Sequence, residues 1–238
     1  MRNVSTALLS AVVGLCSIPV ASIAAPVFSF NAITAPSDIS NVGTVVQAVN
    51  VGEESVPTIT VNGITFTSNA SHSLFAASGA YNIFDAGDPG TLFFTPGDAS
   101  LQQLTNSLGW GDPLVPGTYA GTWIEKTLTV TAGENYKLQI ILADKRDYHH
   151  VMNLTVEGAS SSYYDIGGLG TVVAGNITAD FTATAGTVTF RLTQGAGSGP
   201  TYATPALGAY VLSQVPEPTS LGIIALSGLG LMARRRKA

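Results

Sequence analysis

An all-β sandwich is the fold that this sequence predicts, and three observations carry the expectation. Charged residues make up only 11% of the 238, so the strong helix formers Glu, Lys and Arg are scarce. Glycine is abundant, at 26 residues, and Thr, Ser, Ala and Val fill much of the rest, a mixture of β-branched and turn-permitting chemistry. Between residues 28 and 213, short apolar or alternating stretches recur among Gly-rich turns, at the roughly ten-residue spacing of a sandwich. No repeat of solenoid or propeller length is visible, and the chain length suits one sizeable domain.

The elements follow in order. Residues 45–51 read as a strand, and residues 58–67 as two short strands around Asn62-Gly63, a hairpin-turn dipeptide. A short apolar stretch covers residues 92–94. Residues 97–108 alone have helical rhythm, through Leu101, Leu104 and Leu108, with Asp98 placed as N-cap. Residues 125–131 alternate, with Ile124, Leu128 and Val130 set against Lys126, Thr127 and Thr129. After a turn at residues 132–135, residues 136–143 return as a strongly apolar strand. Residues 151–157 follow a loop at 144–150. Residues 176–182 and 187–193 read as a pair around Ala185-Gly186, and residues 206–213 close the body.

The two ends have a different character. Arg2, the apolar run over residues 7–20 and the small residues Ala21-Ser22-Ile23-Ala24-Ala25 form a secretory signal peptide, residues 1–24, with cleavage expected after Ala24. Cys16, the sole cysteine, lies in that leader and follows Leu15, which argues against a lipoprotein site; once the leader is cut, no disulfide or thiolate chemistry remains. At the other end, Val215-Pro216-Glu217-Pro218 forms a stiff, extended segment. An apolar stretch over residues 219–233 follows, then Arg234-Arg235-Arg236-Lys237. As a helix the stretch is ~22 Å long, short of the ~30 Å hydrocarbon core. The basic cluster holds it on the cytoplasmic side.

This tail, residues 215–238, resembles the PEP-CTERM sorting signal of Gram-negative bacteria, with Pro216, Glu217 and Pro218 as its motif and Arg234, Arg235 and Arg236 as its basic end. The resemblance implies recognition by an exosortase, a membrane cysteine protease-transpeptidase, after passage through signal peptidase. It also implies transient anchoring in the inner membrane, and association with exopolysaccharide and biofilm matrix. Within the body, residues 25–214, the strand, Asp-Lys-Arg loop and return strand of residues 136–158 resemble galactose-binding-like jelly rolls. So do Val49-Asn50-Val51-Gly52 and Val61-Asn62-Gly63-Ile64-Thr65-Phe66. That second resemblance implies a jelly-roll β-sandwich of the kind found in carbohydrate-binding modules, although a fold does not by itself carry a function.

Charge and motif content narrow the function. Residues 25–215 hold five basic and fourteen acidic side chains, a formal charge of −9, which excludes nucleic acid as a partner. Two regions are candidate glycan contacts. Trp110, Tyr119 and Trp123 stand in a Gly- and Pro-rich stretch, where exposed rings would stack on a pyranose; the plainer reading is that they plug the core. Asp144, Arg146, Asp147 and Tyr148 belong to the densest polar cluster, where they would hydrogen-bond sugar hydroxyls and stack on a ring; the plainer reading is a solvated loop. The adjacent His149 and His150 point in opposite directions on an extended chain, so one metal would not take both. Asp85 and Asp88 fall far short of the six to eight oxygens of a Ca²⁺ site, so no cofactor is expected beyond an optional structural calcium. No nucleophile elbow, phosphate loop or zinc motif occurs, and no catalytic residue is assigned. The expectation is a non-enzymatic, exported surface or matrix protein that contacts polysaccharide. The alternatives are a secreted glycan hydrolase or lyase, and a self-associating structural matrix protein.

Overall fold

Asn62 and Gly63 both take positive φ, 47° and 78°, the pairing that a two-residue type I′ turn demands, and the hairpin expected there forms. The computed structural model describes residues 24–52, 58–84, 98–105, 107–113, 121–143, 150–166, 174–195 and 204–216. The first strands are β1 (Val27–Ala32), β2 (Thr44–Val51), β3 (Thr58–Val61), β4 (Ile64–Asn69), β5 (Ala76–Ala77) and β6 (Tyr81–Phe84). The helix α1 (Ala99–Leu104) follows, then β7 (Leu108–Gly111), β8 (Trp123–Thr129), β9 (Asn135–Ala143), β10 (His150–Val156) and β11 (Ala159–Ser160). The chain continues through β12 (Tyr164–Ile166), β13 (Ala174–Thr182), β14 (Thr187–Gln194), β15 (Ala206–Leu207) and β16 (Ala209–Val215).

Two large sheets face each other. Sheet A has the order β1-β13-β9-β16-β2-β4-β3, and sheet B the order β11-β10-β14-β8-β5, with β12 also paired to β10. The antiparallel pairings are nested: β2 with β16, β8 with β14, β9 with β13 and β10 with β12. A long hairpin rolled onto itself gives this pattern, and it is the jelly roll. The expectation of a jelly-roll sandwich is met. The local pairings are not. The turn at residues 131–134 carries the chain from β8 in sheet B to β9 in sheet A. The turn at residues 183–186 carries it back from β13 to β14. Both sites look like hairpins in sequence and are crossings between sheets.

Alternation tells which faces are covered. In β14, Val188, Phe190 and Leu192 are buried, while Thr187 and Thr189 are exposed and Arg191 and Thr193 half-buried, so sheet B has one wet face. In β9 nearly every residue is buried, because sheet A is covered on both sides. Tyr136, Leu138, Ile140 and Leu142 join the core between the sheets. Ile141 and Ala143 join a second cluster on the outer face with Ile33, Ile39, Phe66, Leu101 and Leu104. Helix α1 supplies the two leucines. Its Asp98 cap accepts a hydrogen bond from Leu101 N at 2.8 Å, as anticipated, but the helix stops at Leu104 and Leu108 opens β7 instead. Lys126 also departs from expectation. It shares the inward parity of Ile124 and Leu128, donates from Nζ to the Leu74 carbonyl at 2.7 Å and lies 5.9 Å from the Phe75 ring centre. The aliphatic stem crosses apolar surface while the ammonium finds an acceptor at its margin.

The sandwich has two unlike ends. The tight turns at residues 62–63, 131–134, 157–158 and 183–186 gather at one end, where β1 begins and β16 stops. At the other end the strands open into the connections 53–57, 114–120, 144–149, 167–173 and 196–203, which lie outside the described residues.

Candidate functional site

Strand register defines which side chains of the described residues stand on the outer face of sheet B. Trp123 of β8 stands opposite Thr193 of β14, and Thr193 opposite Asn153 of β10. With strands ~4.8 Å apart, this row spans roughly 10 Å, about two sugar rings. The next row on the same face holds Glu125, Arg191, Thr155 and Ser160. Arg191 is fixed from two sides. Its Nε and one terminal nitrogen reach Glu125 Oε2 at 2.7 and 2.6 Å, and its guanidinium carbon sits 4.5 Å from the Trp123 ring centre. A guanidinium stacked on an indole and tied to a carboxylate is pre-organised, because little rotamer freedom is left to lose.

Tyr163, 53% exposed, reaches over the same face. Its ring fills the place where a Cβ on Gly195 would go, with Cδ1 at 2.6 Å from that position; glycine is what lets the ring lie flat there. The other outward side chains of the two rows are polar. The Asn153 side-chain oxygen is buried and has no hydrogen-bond partner among the described residues.

Trp110 behaves differently from Trp123. It packs against the main core, and its Nε1 donates to Asp112 Oδ1 at 3.0 Å, while Asn82 Nδ2 donates to Asp112 Oδ2 at 2.6 Å. Each carboxylate oxygen thus has a donor, and the cluster fastens β6 to β7. Trp110 is thus tied into the body by its packing and by its indole N–H. Tyr119, Asp144, Arg146, Asp147 and Tyr148 lie outside the described residues, as do Asp85, Asp88 and His149. His150 is buried, with Nδ1 2.9 Å from the Thr204 carbonyl oxygen. Among the described residues no three His, Cys, Asp or Glu side chains gather to hold a metal ion, and no helix is long and apolar enough to cross a membrane. Tyr163, Arg191, Glu125 and Asn153 escaped the sequence reading. The signal that would have raised them is the alternation of β10 and β14, whose outward positions they or their partners occupy.

At the opposite end, β16 finishes at Val215 and Pro216 is exposed; Glu217, Pro218 and the basic residues Arg234, Arg235 and Arg236 lie outside the described residues. The strand therefore delivers the chain directly into the Pro-Glu-Pro segment. Residues 214–237 match the PEP-CTERM protein-sorting motif. The chain carries that sorting signal. It marks an exported protein, sorted to the cell envelope or surface through its C terminus, and implies an exosortase as processing partner. No curated protein matches the chain in sequence. Among solved structures it is similar to the extracellular domain of ANXUR1 from Arabidopsis thaliana, at 12% identity and TM-score 0.52, covering 72% of this chain and 48% of that one. The ANX1 ectodomain from the same plant aligns at 12% identity and TM-score 0.54, with 73% and 51% covered. The ANX2 ectodomain gives 12%, 0.52, 72% and 50%. The chain spans about half the length of these ectodomains, and at this identity the likeness is one of β-sandwich fold.

Proposed function

We propose that the exported sandwich is a non-enzymatic glycan-contacting protein of the cell surface or extracellular matrix, and that it uses the outer face of sheet B. The observation that carries this reading is the platform itself. Trp123 and Tyr163 present their rings on it, and Thr193, Arg191 and Glu125 offer donors and acceptors beside them. Polysaccharide presents apolar ring faces edged by hydroxyls, and a flat sheet face with this composition complements it. The tail motif favours the same reading, because it sends the protein to where such polymers lie. Transient anchoring in the inner membrane, before the tail is removed, belongs to the proposal.

The test is retention of the purified protein on immobilised exopolysaccharide from its host, together with an assay for soluble sugar released. Retention weakened about tenfold by Trp123→Ala and by Arg191→Ala, roughly 1.4 kcal/mol each, with no sugar released, is the expected result. Unchanged retention in both variants would reject this face. Release of oligosaccharide would turn the assignment toward a glycan-active enzyme.

A further inference from the structure

Five large apolar side chains are exposed among the described residues: Val27 at 66%, Val42 at 54%, Val45 at 40%, Val46 at 47% and Tyr163 at 53%. Tyr163 belongs to the sheet B face. The four valines all lie toward the end of sheet A from which both chain termini leave. Register joins two of them, Val27 and Val45, across five strands in one row. Val27 of β1 stands opposite Asp180, Asp180 opposite Lys137, Lys137 opposite Ser213, and Ser213 opposite Val45. Val27 and Val45 are thus about four strand spacings, ~19 Å, apart, with Val42 and Val46 beside the latter. Single exposed valines are ordinary on any protein, whereas four confined to one end, flanking both exits, form a pattern.

The exits define what that end faces. Ala24 and Ala25, the expected signal-peptidase junction, line a 260 Å³ cleft together with Val27, Phe181, Val215 and Pro216. The two processing points therefore sit side by side. Only Pro216, Glu217 and Pro218 separate the last strand residue from the apolar stretch at residues 219–233, and three residues reach at most ~11 Å. The headgroup layer is itself ~5–7 Å deep on each side of the hydrocarbon. A tail-anchored chain can thus lift this end by only ~4–6 Å beyond the headgroup layer. The charge there is a small net negative, since the Glu134 and Glu157 carboxylates stand at this end beside one compensated pair. Lys137 and Asp180 neutralise one another at 2.7 Å, and the Glu134 carboxylate accepts from Gln214 Nε2 at 3.1 Å.

We infer that, while the tail holds the chain, the end of the sandwich bearing Val27, Val42, Val45 and Val46 lies against the outer surface of the phospholipid bilayer, with the valines in its interfacial layer. The open end then points away from the membrane, and both processing junctions lie at the lipid surface. This inference rests on the tail acting as an anchor and is separate from any glycan binding.

The full chain carrying Cys16→Ser has no other cysteine, so Val42→Cys, Val27→Cys and, at the far end, Thr193→Cys each provide a unique label position. The labelled proteins are inserted into vesicles of phosphatidylethanolamine with a minority of phosphatidylglycerol, some lipids carrying a nitroxide at the headgroup. Fluorescence at Val42 and Val27 should be quenched at least about twofold more than at Thr193, which lies most of a ~27 Å strand length away. Equal quenching at the two ends, or none at the valines in protein that resists carbonate extraction, would overturn the apposition while leaving the anchor intact. Full release by carbonate would remove the anchor and the apposition together, and glycan retention, measured on the unlabelled protein that keeps Thr193, would be unaffected by either result.

Discussion

Tyr81 and Tyr210 place their rings between the sheets, at 7% and 0% exposure, on either side of Phe75, with ring centres 5.2 and 5.9 Å from it. Neither hydroxyl has a hydrogen-bond partner among the described residues. A desolvated hydroxyl without a partner costs ~1–3 kcal/mol. Tyr81→Phe removes that cost and keeps the ring, so we expect a gain of about 1 kcal/mol and a rise of roughly 2–4 °C in Tm. Gly109 provides a second handle. A Cβ there would overlap the Tyr81 hydroxyl and approach Val51 Cγ1 to 2.7 Å and Tyr81 Cζ to 2.8 Å. Gly109→Ala should therefore cost ~3 kcal/mol in the natural sequence, at the upper end of overpacking penalties. In the Tyr81→Phe background the oxygen is gone and only the carbon contacts remain, so the cost should fall to ~2 kcal/mol. Urea unfolding followed by tryptophan fluorescence measures all four proteins of the cycle. A Tyr81→Phe variant less stable by more than about 1 kcal/mol would mean that the hydroxyl is hydrogen-bonded, and an additive cycle would mean that Gly109 and Tyr81 do not collide.

Alkaline stability follows from the same pair. Burial pushes the Tyr210 phenol up to about 12, and burial, with the Tyr210 charge as a lesser cause, raises Tyr81 further. A raised folded-state pKa gives stability that is complete below the unfolded value, near 10, and lost as pH climbs toward 12. Tyr210 alone should forfeit ~2–3 kcal/mol over that interval. The last of the phenolate absorbance, that of the two buried rings, should rise together with unfolding above pH 10, and Tyr210→Phe should shift the transition upward; full phenolate absorbance in folded protein would contradict the burial. Asp98→Ala should cost ~1 kcal/mol through the lost cap and speed hydrogen exchange at the Leu101 amide, whereas an unchanged exchange rate would show that packing alone holds α1.

Periodicity made the strands legible and left their partners hidden. The alternation of residues 125–131 and the apolar run of residues 136–143 locate β8 and β9, yet nothing local says that they pair with β14 and β13 and not with each other. A Gly-containing turn joins hairpin strands and sheet-crossing strands alike, and only the completed roll decides between them. Asn62-Gly63 and Asp98 were readable because their geometry closes within a few residues. The candidate site was half legible for the same reason. Trp123 is visible as a large ring near a Gly-rich stretch, but Arg191, which stacks on it, comes from β14, far along the chain. Trp110 looks equivalent in sequence and is tied down by Asp112 and Asn82, a distinction set by register.

β16 lies between β2 and β9, at the centre of its sheet, although it is the last strand to leave the ribosome. Without it, sheet A divides into two separate ladders, β1-β13-β9 and β2-β4-β3, and Tyr210 and Leu212 drop out of the core. A chain still threading through an export channel therefore has no closed form to adopt; the roll can shut only after its final strand has been delivered. The same position makes trimming of the tail unforgiving. A cut beyond Pro216 leaves the whole of β16 in place, while a cut a few residues earlier would unzip the middle of the sheet.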